Sequence, residues 1–385
     1  MIPYGKQNIS DEDIEKVVGV LKSKLITQGE LVPNFEKSLC EYVNCKHAVA
    51  TNSATSALHL ACLALELGPG DTLWTSANTF VSSANVALMC GADIDFIDID
   101  PMTYNISIEA LEEKLKKSEL NGKLPKIIMP VHLGGQSCDM KEIHELSKKF
   151  NFKIIEDASH AIGGSYMSEK VGNAKYSDIV VFSFHPVKII TTGEGGAALT
   201  NCEHLNKEML KRRSHGIERE KNNKSIVSGE IWNYQQHDLG FNYRMTDFQA
   251  ALGLNQLKRI DEFIKDRTRI ANFYNDKLEE LPIKLPYQLD KSLSSYHLYP
   301  IRIKNKRQNF NQAFFYDCFY KNNILVNIHY IPVYRHPFYA KKGFPVNYCP
   351  EAEKYFTEAL SLPIFYGLNN VDQKKVIDLT IKLAC

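Results

Sequence analysis

The sequence predicts an α/β protein built on a largely parallel sheet, and two observations support this fold class. Over the first half of the chain, short apolar segments typical of buried strands alternate with longer amphipathic segments typical of helices. Turn signals such as Gly68-Pro69-Gly70 separate neighbouring segments. Because parallel strands need a crossover connection, usually a helix, this alternation favours a sheet with helices on both faces.

The elements of the first half follow from these patterns in chain order. The small residues at the start of the segment Asn52–Leu67 open a helix that we expect to end before the glycine-rich turn. The remaining apolar segments fit strands, and the amphipathic segments between them fit helices. We predict strands at Thr72–Ser76, Asp93–Ile99, Lys126–Val131, Phe152–Glu156, Asp178–Phe184 and Gly196–Thr200, and helices at Ser82–Cys90, Ile106–Ser118 and Met140–Phe150.

The pattern changes after Met245. A long amphipathic helix is predicted from Asp247 to about Leu278. A smaller α+β region follows, with strands near His297–Ile303 and Ile324–Tyr330. The second half of the chain is therefore expected to fold differently from the first.

The length and composition allow two domains. The chain has 385 residues, of which 44% are hydrophobic, and this is enough for a large core. We predict a large domain over residues 1–250 and a small C-terminal domain over residues 251–385, with a soft boundary near Met245–Lys258.

Charge and cysteine usage exclude several classes of protein. Lys and Arg number 46 and Asp and Glu number 45, so no net field favours a nucleic acid or a membrane as partner, and an anionic substrate must be held locally. The chain has no apolar run of about 18 residues or more, and its first residues do not resemble a signal peptide. None of the nine cysteines forms a CxxC pair. We expect a soluble, reduced, cytoplasmic protein.

Lys188 is the first candidate for chemistry, because it lies between Val187 and two isoleucines. A lysine in such a segment often extends its charged end to water from a strand edge. The alternative is a buried lysine whose lowered pKa frees the amine to react with a carbonyl group. Both interpretations are open for this residue taken alone.

Asp157 ends an apolar strand segment about thirty residues before Lys188. A buried carboxylate costs several kcal/mol unless a cation pairs with it, and the protonated nitrogen of pyridoxal phosphate is such a cation. Asp157 could instead cap the following helix. His160 could hydrogen-bond the ring hydroxyl of the same cofactor, although a lone histidine is more often a core residue with satisfied hydrogen bonds.

The small residues from Asn52 to Ala57 offer a place for a phosphate. Backbone N–H groups and short hydroxyl side chains at a helix start bind phosphate well, but Ser and Thr are also ordinary helix caps. Ser183 could add a hydroxyl to the same phosphate. Phe80 could stack on a pyridine ring, although most phenylalanines are core residues.

Other common sites are not supported by the sequence. The glycines of Gly193–Gly196 match neither a dinucleotide-binding fingerprint nor a P-loop. They fit a tight turn beside Lys188. The twelve histidines show no metal-ligand spacing with one another or with cysteine, so we predict no metal site.

Six ordered segments of the chain resemble the DegT/DnrJ/EryC1/StrS family of sugar aminotransferases. They read NSATSAL, NTFVSSAN, EDASHAIGG, FSFHPVKIITTGEGGA, RRSHGI and LGFNYRMTDFQAALGLNQL. The resemblance covers nearly the whole chain and implies the fold type I of pyridoxal-phosphate-dependent transferases, as in aspartate aminotransferase. That fold has a mixed, mainly parallel seven-stranded sheet, a smaller C-terminal α+β domain and a homodimer with shared active sites.

The resemblance also implies roles for individual residues toward pyridoxal 5'-phosphate. It makes Lys188 the Schiff-base lysine, Asp157 the partner of the pyridine nitrogen, and Phe80 the aromatic residue that stacks on the ring. The residues that it implies near the phosphate are Ala54, Thr55 and Ser183, with Asn242 reaching the phosphate from the neighbouring subunit.

Other segments resemble family members that aminate UDP-linked 4-keto-6-deoxy-2-acetamido sugars at C4, with L-glutamate as donor, in pseudaminic acid biosynthesis. They are LITQGE with VPNFE, HPVKIITTGEGG, SSYHLYPI and NIHYIPVY. One departure is HLGGQ at positions 132–136, where many relatives carry an aromatic residue before the glutamine. The implied contacts of the nucleotide sugar are Tyr4, Lys24, Leu25, Ile26, Thr27, Asn327, Ile328, His329 and Tyr330.

Three alternatives remain to be compared with this function. A sugar dehydratase on the same fold would carry histidine in place of Lys188, so we discount it. A binding protein without catalysis would not need both Lys188 and Asp157. The third is an aminotransferase for another keto sugar, such as a UDP-4-ketopentose, GDP-4-keto-6-deoxymannose or a 3-keto sugar, and the sequence separates this one least well.

Overall fold

The computed structural model describes residues 1–218, 234–304 and 310–384 of the chain. The helices in these ranges are α1 (Asp11–Leu21), α2 (Leu31–Val43), α3 (Ala54–Ala64), α4 (Ser82–Met89), α5 (Ile108–Leu120), α6 (Met140–Phe150), α7 (Glu203–Arg213), α8 (Asp247–Lys258), α9 (Ile260–Leu278), α10 (Gln312–Lys321), α11 (Pro337–Ala340), α12 (Pro350–Glu358) and α13 (Asn370–Ala384). The strands are β1 (His47–Thr51), β2 (Thr72–Ser76), β3 (Asp93–Ile97), β4 (Ile127–Met129), β5 (Lys153–Asp157), β6 (Ser165–Tyr166), β7 (Glu169–Lys170), β8 (Ile179–Ser183), β9 (Gly196–Thr200), β10 (Ile217–Glu218), β11 (Gln235–Gln236), β12 (Ser292–Leu293), β13 (Tyr299–Arg302) and β14 (Ala359–Leu362).

The central sheet has seven strands in the order β1-β9-β8-β5-β4-β2-β3. β9 runs antiparallel to both of its neighbours, β1 and β8, and the other neighbouring strands of this sheet are parallel. All residues of β8 and β9 are buried, as expected for strands covered by helices on both faces. The predicted mixed, mainly parallel α/β fold is therefore confirmed, although the residue patterns alone did not predict β1.

The parallel strands bring polar residues together at one edge of the sheet. β5 and β8 are adjacent and parallel, with Asp157 opposite Val181. Asp157 and Ser183 therefore both lie at carboxyl ends, where ligands of such sheets collect. The predicted strands of the first half are present, with ends that differ by up to two residues.

Helix α3 starts close to the same edge because Gly196 lets it approach β9. A Cβ atom at Gly196 would lie 2.5 Å from the Ala54 backbone nitrogen, closer than a side chain can be accommodated. Ser53 caps the helix by accepting a hydrogen bond from the Ser56 N–H group at 3.1 Å. The helix ends at Ala64 and not at Leu67 as predicted.

The single helix predicted from Asp247 to Leu278 is wrong. The segment forms α8 and α9, and Arg259 between them has the non-helical dihedrals φ −101° and ψ 3°. The fully buried Asp13 carboxylate explains this break, because Gln256 donates to it at 2.8 Å and Arg259 pairs with it at 3.4 Å. This distant contact outweighs the local helical pattern.

The C-terminal region has its own apolar core. β13 pairs antiparallel with β14, which confirms the strand predicted near His297–Ile303. The strand predicted at Ile324–Tyr330 is wrong, because this segment makes only single bridges, from Ile324 to Ile2 and from Asn327 to Ser361. Ile2 also packs in the C-terminal core. The domain division at residues 250 and 251 stays a prediction.

The described ranges contain neither a membrane-spanning helix nor a metal-binding cluster. No helix there is long and apolar enough to cross a membrane. Those ranges also contain no group of three or more His, Cys, Asp or Glu side chains arranged to hold a metal ion.

Candidate active site

Asp157 is a buried carboxylate at the end of β5, and only 4% of the residue is exposed. The Ser83 hydroxyl donates to its Oδ2 at 2.7 Å, and the Ser159 N–H group donates to its Oδ1 at 3.1 Å. Both donors are neutral. No described Lys, Arg or His side chain lies within ion-pair distance of this carboxylate, so it keeps the capacity to bind a cation.

Lys188 lies in the turn that follows β8, where its N–H group donates to the carbonyl of His185 at 2.9 Å. Burial lowers the pKa of the Lys188 amine to about 8, and the opposing effect of Asp157 keeps it from falling further. The amine therefore faces an environment that favours its neutral form far more than water does. A lysine of this kind can act as a nucleophile or as a general base.

His160 is buried and is hydrogen-bonded through both ring nitrogens. Nδ1 accepts from the Gly134 N–H group at 3.2 Å, and Nε2 lies 3.2 Å from the Tyr330 hydroxyl. Burial, and then the nearby Lys188, lowers the pKa of His160 well below its usual range. A backbone N–H group can only donate, so Nδ1 carries no proton. In the neutral ring, Nε2–H then donates to the Tyr330 oxygen.

Two further histidines lie around Lys188, and both are held neutral. The ring of His297 lies 4.3 Å from that of His160, and burial lowers the pKa of His297 well below its usual range, with His160 adding to the effect. Burial likewise lowers the pKa of His329 to about 3, with a further contribution from Lys188. The imidazoles thus supply hydrogen-bonding groups without adding positive charge.

The predicted phosphate residues meet at the start of α3. Ser183 is opposite Gly196 in the sheet, and Gly196 closely approaches Ala54. Thr55 follows in the first turn of the helix, and the Ser183 hydroxyl accepts the N–H group of His185 at 3.4 Å. The arrangement joins helix N–H groups with a hydroxyl, as phosphate binding requires.

Asn242 lies beside Asn52, the residue that precedes Ser53, the cap of α3. Its carbonyl accepts from the Asn52 side chain at 3.5 Å, and Asn52 N–H donates to Tyr243 at 2.9 Å. The residue is exposed in the single chain. Its reach into a neighbouring subunit stays a prediction.

Several predicted sugar contacts gather next to His160. The rings of Tyr4 and His329 lie 5.4 Å apart, and those of Phe80 and Tyr330 lie 6.2 Å apart. His329 is fixed by Ser361 at 2.9 Å and by Asn327 at 3.3 Å. The neighbouring Ile328 N–H group donates to the Asn327 side chain at 2.9 Å. Phe80 is 56% exposed, so its ring is accessible to a ligand.

The predicted contacts Lys24, Leu25, Ile26 and Thr27 lie elsewhere. All four residues are exposed. The Ile26 carbonyl accepts the Asp247 N–H group at 3.0 Å, and Thr27 bridges to Thr246 at the start of α8. The structure does not join these four side chains to the cluster around Lys188.

Three polar residues of the cluster were not predicted. Ser83 binds Asp157, and the Asn78 side chain accepts the Tyr330 N–H group at 2.7 Å. The Asn78 amide nitrogen and the Tyr355 hydroxyl are buried without a hydrogen bond to the described residues. Asn78 and Ser83 both belong to the segment NTFVSSAN, where they resemble ordinary helix-start residues. Only their contacts distinguish them.

The protein is similar over its whole length to solved aminotransferase structures. Helicobacter pylori PseC, an aminotransferase involved in the biosynthesis of pseudoaminic acid, is 32% identical, with a TM-score of 0.87, and the match covers 100% of this chain and 99% of that chain. The PMP-form of Spr1654 from Streptococcus pneumoniae is 28% identical, with a TM-score of 0.91, and the match covers 100% and 99%. The architecture is that of fold type I transferases.

Comparison with known sequences also identifies aminotransferases as relatives of this chain. The DegT/DnrJ/EryC1/StrS aminotransferase family matches residues 7–380. A UDP-4-amino-4,6-dideoxy-N-acetyl-beta-L-altrosamine transaminase from Campylobacter jejuni is 41% identical over 380 residues, which cover 98% of this chain and 96% of that protein. The chain therefore belongs to the DegT/DnrJ/EryC1/StrS family, whose aminotransferases depend on pyridoxal phosphate, and it is a sugar aminotransferase.

Proposed function

We propose that this protein uses pyridoxal 5'-phosphate to aminate a UDP-linked 4-keto-6-deoxy-2-acetamido sugar at C4, with L-glutamate as amino donor, in pseudaminic acid biosynthesis. The 41% identity to the Campylobacter jejuni transaminase over 98% of the chain is the observation that carries the substrate class. The buried carboxylate of Asp157 and the partly buried amine of Lys188 support the cofactor assignment, because a carboxylate and an amine in these settings suit the chemistry of pyridoxal phosphate.

The residues at the sheet edge fit the cofactor. The Asp157 carboxylate is buried and has only neutral donors, so a protonated pyridine nitrogen would complete its charge balance. The α3 start with Ala54, Thr55 and Ser183 would hold the phosphate. Phe80 would cover one face of the ring. When bound, pyridoxal phosphate acts as an electron sink for the carbon that gains or loses the amino group.

Lys188 would move the proton during transamination. Its amine has a pKa of about 8, which lies close enough to neutral pH for the same group to accept and return a proton. Asp157 would keep the ring nitrogen protonated. The three nearby imidazoles would stay neutral and would therefore add no positive charge beside Lys188 and Asp157. They belong to His160, His297 and His329.

Tyr330 would be oriented by His160 to donate a hydrogen bond. Because Gly134 N–H occupies Nδ1 of His160, the Nε2 proton points at the Tyr330 oxygen. The hydroxyl proton of Tyr330 is then available for an acceptor on the cofactor or the sugar. Burial raises the pKa of Tyr330 above its usual range, which keeps this proton in place.

The nucleotide sugar would bind along the segment Asn327 to Tyr330 together with Tyr4. These residues offer an amide, an imidazole and hydroxyl groups to sugar hydroxyls or to an acetamido group. Lys24 is the proposed cation for the diphosphate, and Leu25, Ile26 and Thr27 are proposed to border the nucleotide. Binding energy from these remote parts can orient the reacting ketone.

The substrate proposal is tested by kcat/KM for three ketones. They are the UDP-linked 2-acetamido-6-deoxy-4-ulose, a UDP-4-ketopentose and GDP-4-keto-6-deoxymannose. We expect the first to be preferred, because a hydrogen-bonding site discriminates strongly against an analogue that lacks the matched group. If either of the other two ketones reacts best, the substrate proposal is wrong while the aminotransferase class stands.

We also propose a homodimer in which Asn242 reaches the phosphate site of the partner. Mixing inactive Lys188→Ala and Asn242→Ala subunits would then create one native site per mixed dimer. We expect activity to return to a fraction set by the share of mixed dimers. Subunit exchange confirmed by mass spectrometry without recovered activity would contradict the shared site.

We propose that the enzyme is located in the cytoplasm. The eight cysteines in the described ranges are free thiols, as expected where thiols stay reduced.

A further inference from the structure

Two hydroxyl groups beside Asp157 form a short hydrogen-bonded chain at the start of α4. The Thr79 and Ser83 hydroxyl oxygens lie 2.8 Å apart, and the Ser83 hydroxyl lies 2.7 Å from Oδ2 of Asp157. Thr79, Ser83 and Asp157 are all buried, so these contacts are shielded from bulk water. The three side chains therefore form one buried network that ends at the carboxylate of the candidate active site.

The direction of this chain follows from the number of protons. An ionised carboxylate only accepts hydrogen bonds, so the single hydroxyl proton of Ser83 points to Asp157. Ser83 then has only lone pairs to offer Thr79, and the Thr79 hydroxyl must be the donor in that contact. The Phe80 carbonyl is a weaker competitor for the Ser83 proton, because it is uncharged and lies 3.3 Å away. Both hydroxyl groups thus point toward the carboxylate, and aligned bonds of this kind strengthen one another.

This chain helps to determine which way the Asp157 carboxylate faces. A carboxylate has about four lone-pair positions, and here the Ser83 hydroxyl and the Ser159 N–H group occupy one on each oxygen. A rotation of the carboxylate would break both bonds. The lone-pair positions that stay free therefore keep a fixed direction, and Ser83 is the side chain that holds Oδ2.

The turn from Thr79 to Ser83 also carries the aromatic residue proposed to cover the cofactor ring. Phe80 follows Thr79 directly, and its carbonyl accepts the Ser83 N–H group at 3.2 Å. The ring-covering residue and the donor to Asp157 are therefore held in a fixed relation by one short segment. A site that must hold a flat ring at one edge and on one face needs such a rigid support.

We propose that Thr79 and Ser83 are positioning residues, which hold the Asp157 carboxylate toward the ring nitrogen of pyridoxal 5'-phosphate and stabilise its negative charge. This inference rests on the proposed function, because it assumes the proposed role of Asp157 toward the cofactor. Both hydroxyls act through Asp157. A carboxylate that is fixed in direction and kept ionised favours a ring with a protonated nitrogen over a ring of the same shape without one.

The test compares two ligands that differ only at the ring nitrogen. They are pyridoxal 5'-phosphate and its 1-deaza analogue, in which a C–H group replaces that nitrogen. Fluorescence titration of the cofactor-free, full-length protein gives the two dissociation constants, and their ratio measures the preference for the nitrogen. Ser83→Ala should reduce this preference by about tenfold, because it removes a hydrogen bond to a charged group. Its affinity for the analogue should stay within about twofold of the native value.

A purely structural role of Ser83 predicts a different result. Ser83→Ala would then weaken the binding of both ligands by the same factor and leave the preference unchanged, which would overturn the proposal. Ser82→Ala is the matched control, because it removes the neighbouring hydroxyl on the same helix. This control should keep the native preference.

Substitutions at Thr79 separate the effect of the hydroxyl from the effect of side-chain shape. Thr79→Val has nearly the same shape but no donor, and it should reduce the preference by about threefold. Thr79→Ser keeps the donor and should retain the native preference. An unchanged preference in Thr79→Val would show that the chain does not extend to Thr79 and that the proposal is wrong. Circular dichroism checks folding, and the two Thr79 variants decide the proposal if Ser83→Ala does not fold.

The native protein separates this proposal from the assignment of Asp157 itself. If the native protein binds both ligands equally well, Asp157 does not hold the ring nitrogen, and both assignments are wrong. If the native protein prefers pyridoxal 5'-phosphate and the Ser83 and Thr79 variants keep that preference, the role of Asp157 stands. Only the positioning role of the two hydroxyls is then wrong.

Discussion

The two ends of the central sheet differ in how their polar groups are paired. A cavity of about 570 Å³ lies at the amino ends of β5 and β8, bordered by Lys153, Ser177, Asp178 and Asn201 among others. Asp178 is fully paired there, since it accepts from Ile154 N–H at 2.9 Å and pairs with Lys153 at 3.2 Å. At the carboxyl ends, Asp157 is deeply buried and has only neutral donors.

The volume of a cavity therefore does not indicate which end of this sheet holds the proposed active site. The negative charge of Asp178 is already balanced by its hydrogen-bond and ion-pair partners, so this carboxylate has little capacity to bind a ligand. The carboxylate of Asp157 and the amine with the lowered pKa of Lys188 are incompletely compensated, and such groups cluster at functional sites. The predictions below test this difference, from the largest expected effect to the smallest.

Replacing Lys188 should have the largest effect. Lys188→Ala removes the group proposed to move the proton, so kcat should fall by about four orders of magnitude or more. Borohydride reduction of the native protein with cofactor should attach the cofactor to Lys188. Attachment to a different lysine would show that the assignment is wrong.

The pH dependence of Lys188 labelling sharpens the same assignment. The pKa of about 8 means that the neutral fraction rises as pH increases through 8. In cofactor-free protein, reductive methylation of Lys188 should therefore reach half its maximal rate near pH 8. Because Asp157 raises this pKa, Asp157→Asn should move the midpoint to lower pH. An unchanged midpoint would mean that the two charges do not interact.

Asp157→Asn should lower kcat by several orders of magnitude, because a neutral amide cannot keep the ring nitrogen protonated. The substitution keeps the side-chain shape, and Ser83 can still donate to the remaining oxygen. Steady-state kinetics with saturating cofactor measure the loss. Activity within a few-fold of the native protein would exclude the proposed role of Asp157.

Asp178→Asn is the matched substitution at the opposite end, and it should have the smallest effect on activity. It weakens the pair with Lys153, so the free energy of unfolding should fall by about 1 kcal/mol. We expect kcat/KM to stay within about twofold of the native value, because this carboxylate is far from the chemistry. Urea unfolding and the same kinetic assay separate the two effects. A large loss of activity at unchanged stability would reverse the comparison between the two ends.

Much of the fold could be predicted because buried parallel strands are continuous apolar segments, as β8 is. β1 was missed because the short segment His47–Thr51 carries small residues and has no such pattern. The break at Arg259 could not be predicted either. It depends on Asp13, which is 246 positions away in sequence, and a local pattern contains no information on that contact.

The candidate site likewise contains some residues that could be predicted from the sequence and some that could not. Asp157, His160 and Lys188 could be predicted, because their residue types stand out in apolar segments or at strand ends. The hydrogen bond from Gly134 that determines the tautomer of His160 could not, since it comes from a backbone group of another loop. Ser83 was hidden for a related reason, because a serine at a helix start is ordinary until its partner is known.

The pairing of Ile2 with Ile324 has a consequence for the order in which the protein folds. Ile2 bridges to Ile324 and packs in the C-terminal core, so the segment around Ile2 lacks these native partners until Ile324 and the rest of that core have been synthesised. The central sheet can assemble during that time, whereas the C-terminal core is completed only after synthesis reaches its last helix. Contacts that join such distant positions form slowly. The segment around Ile2 is therefore expected to be among the last parts of the protein to gain protection from proteases during synthesis.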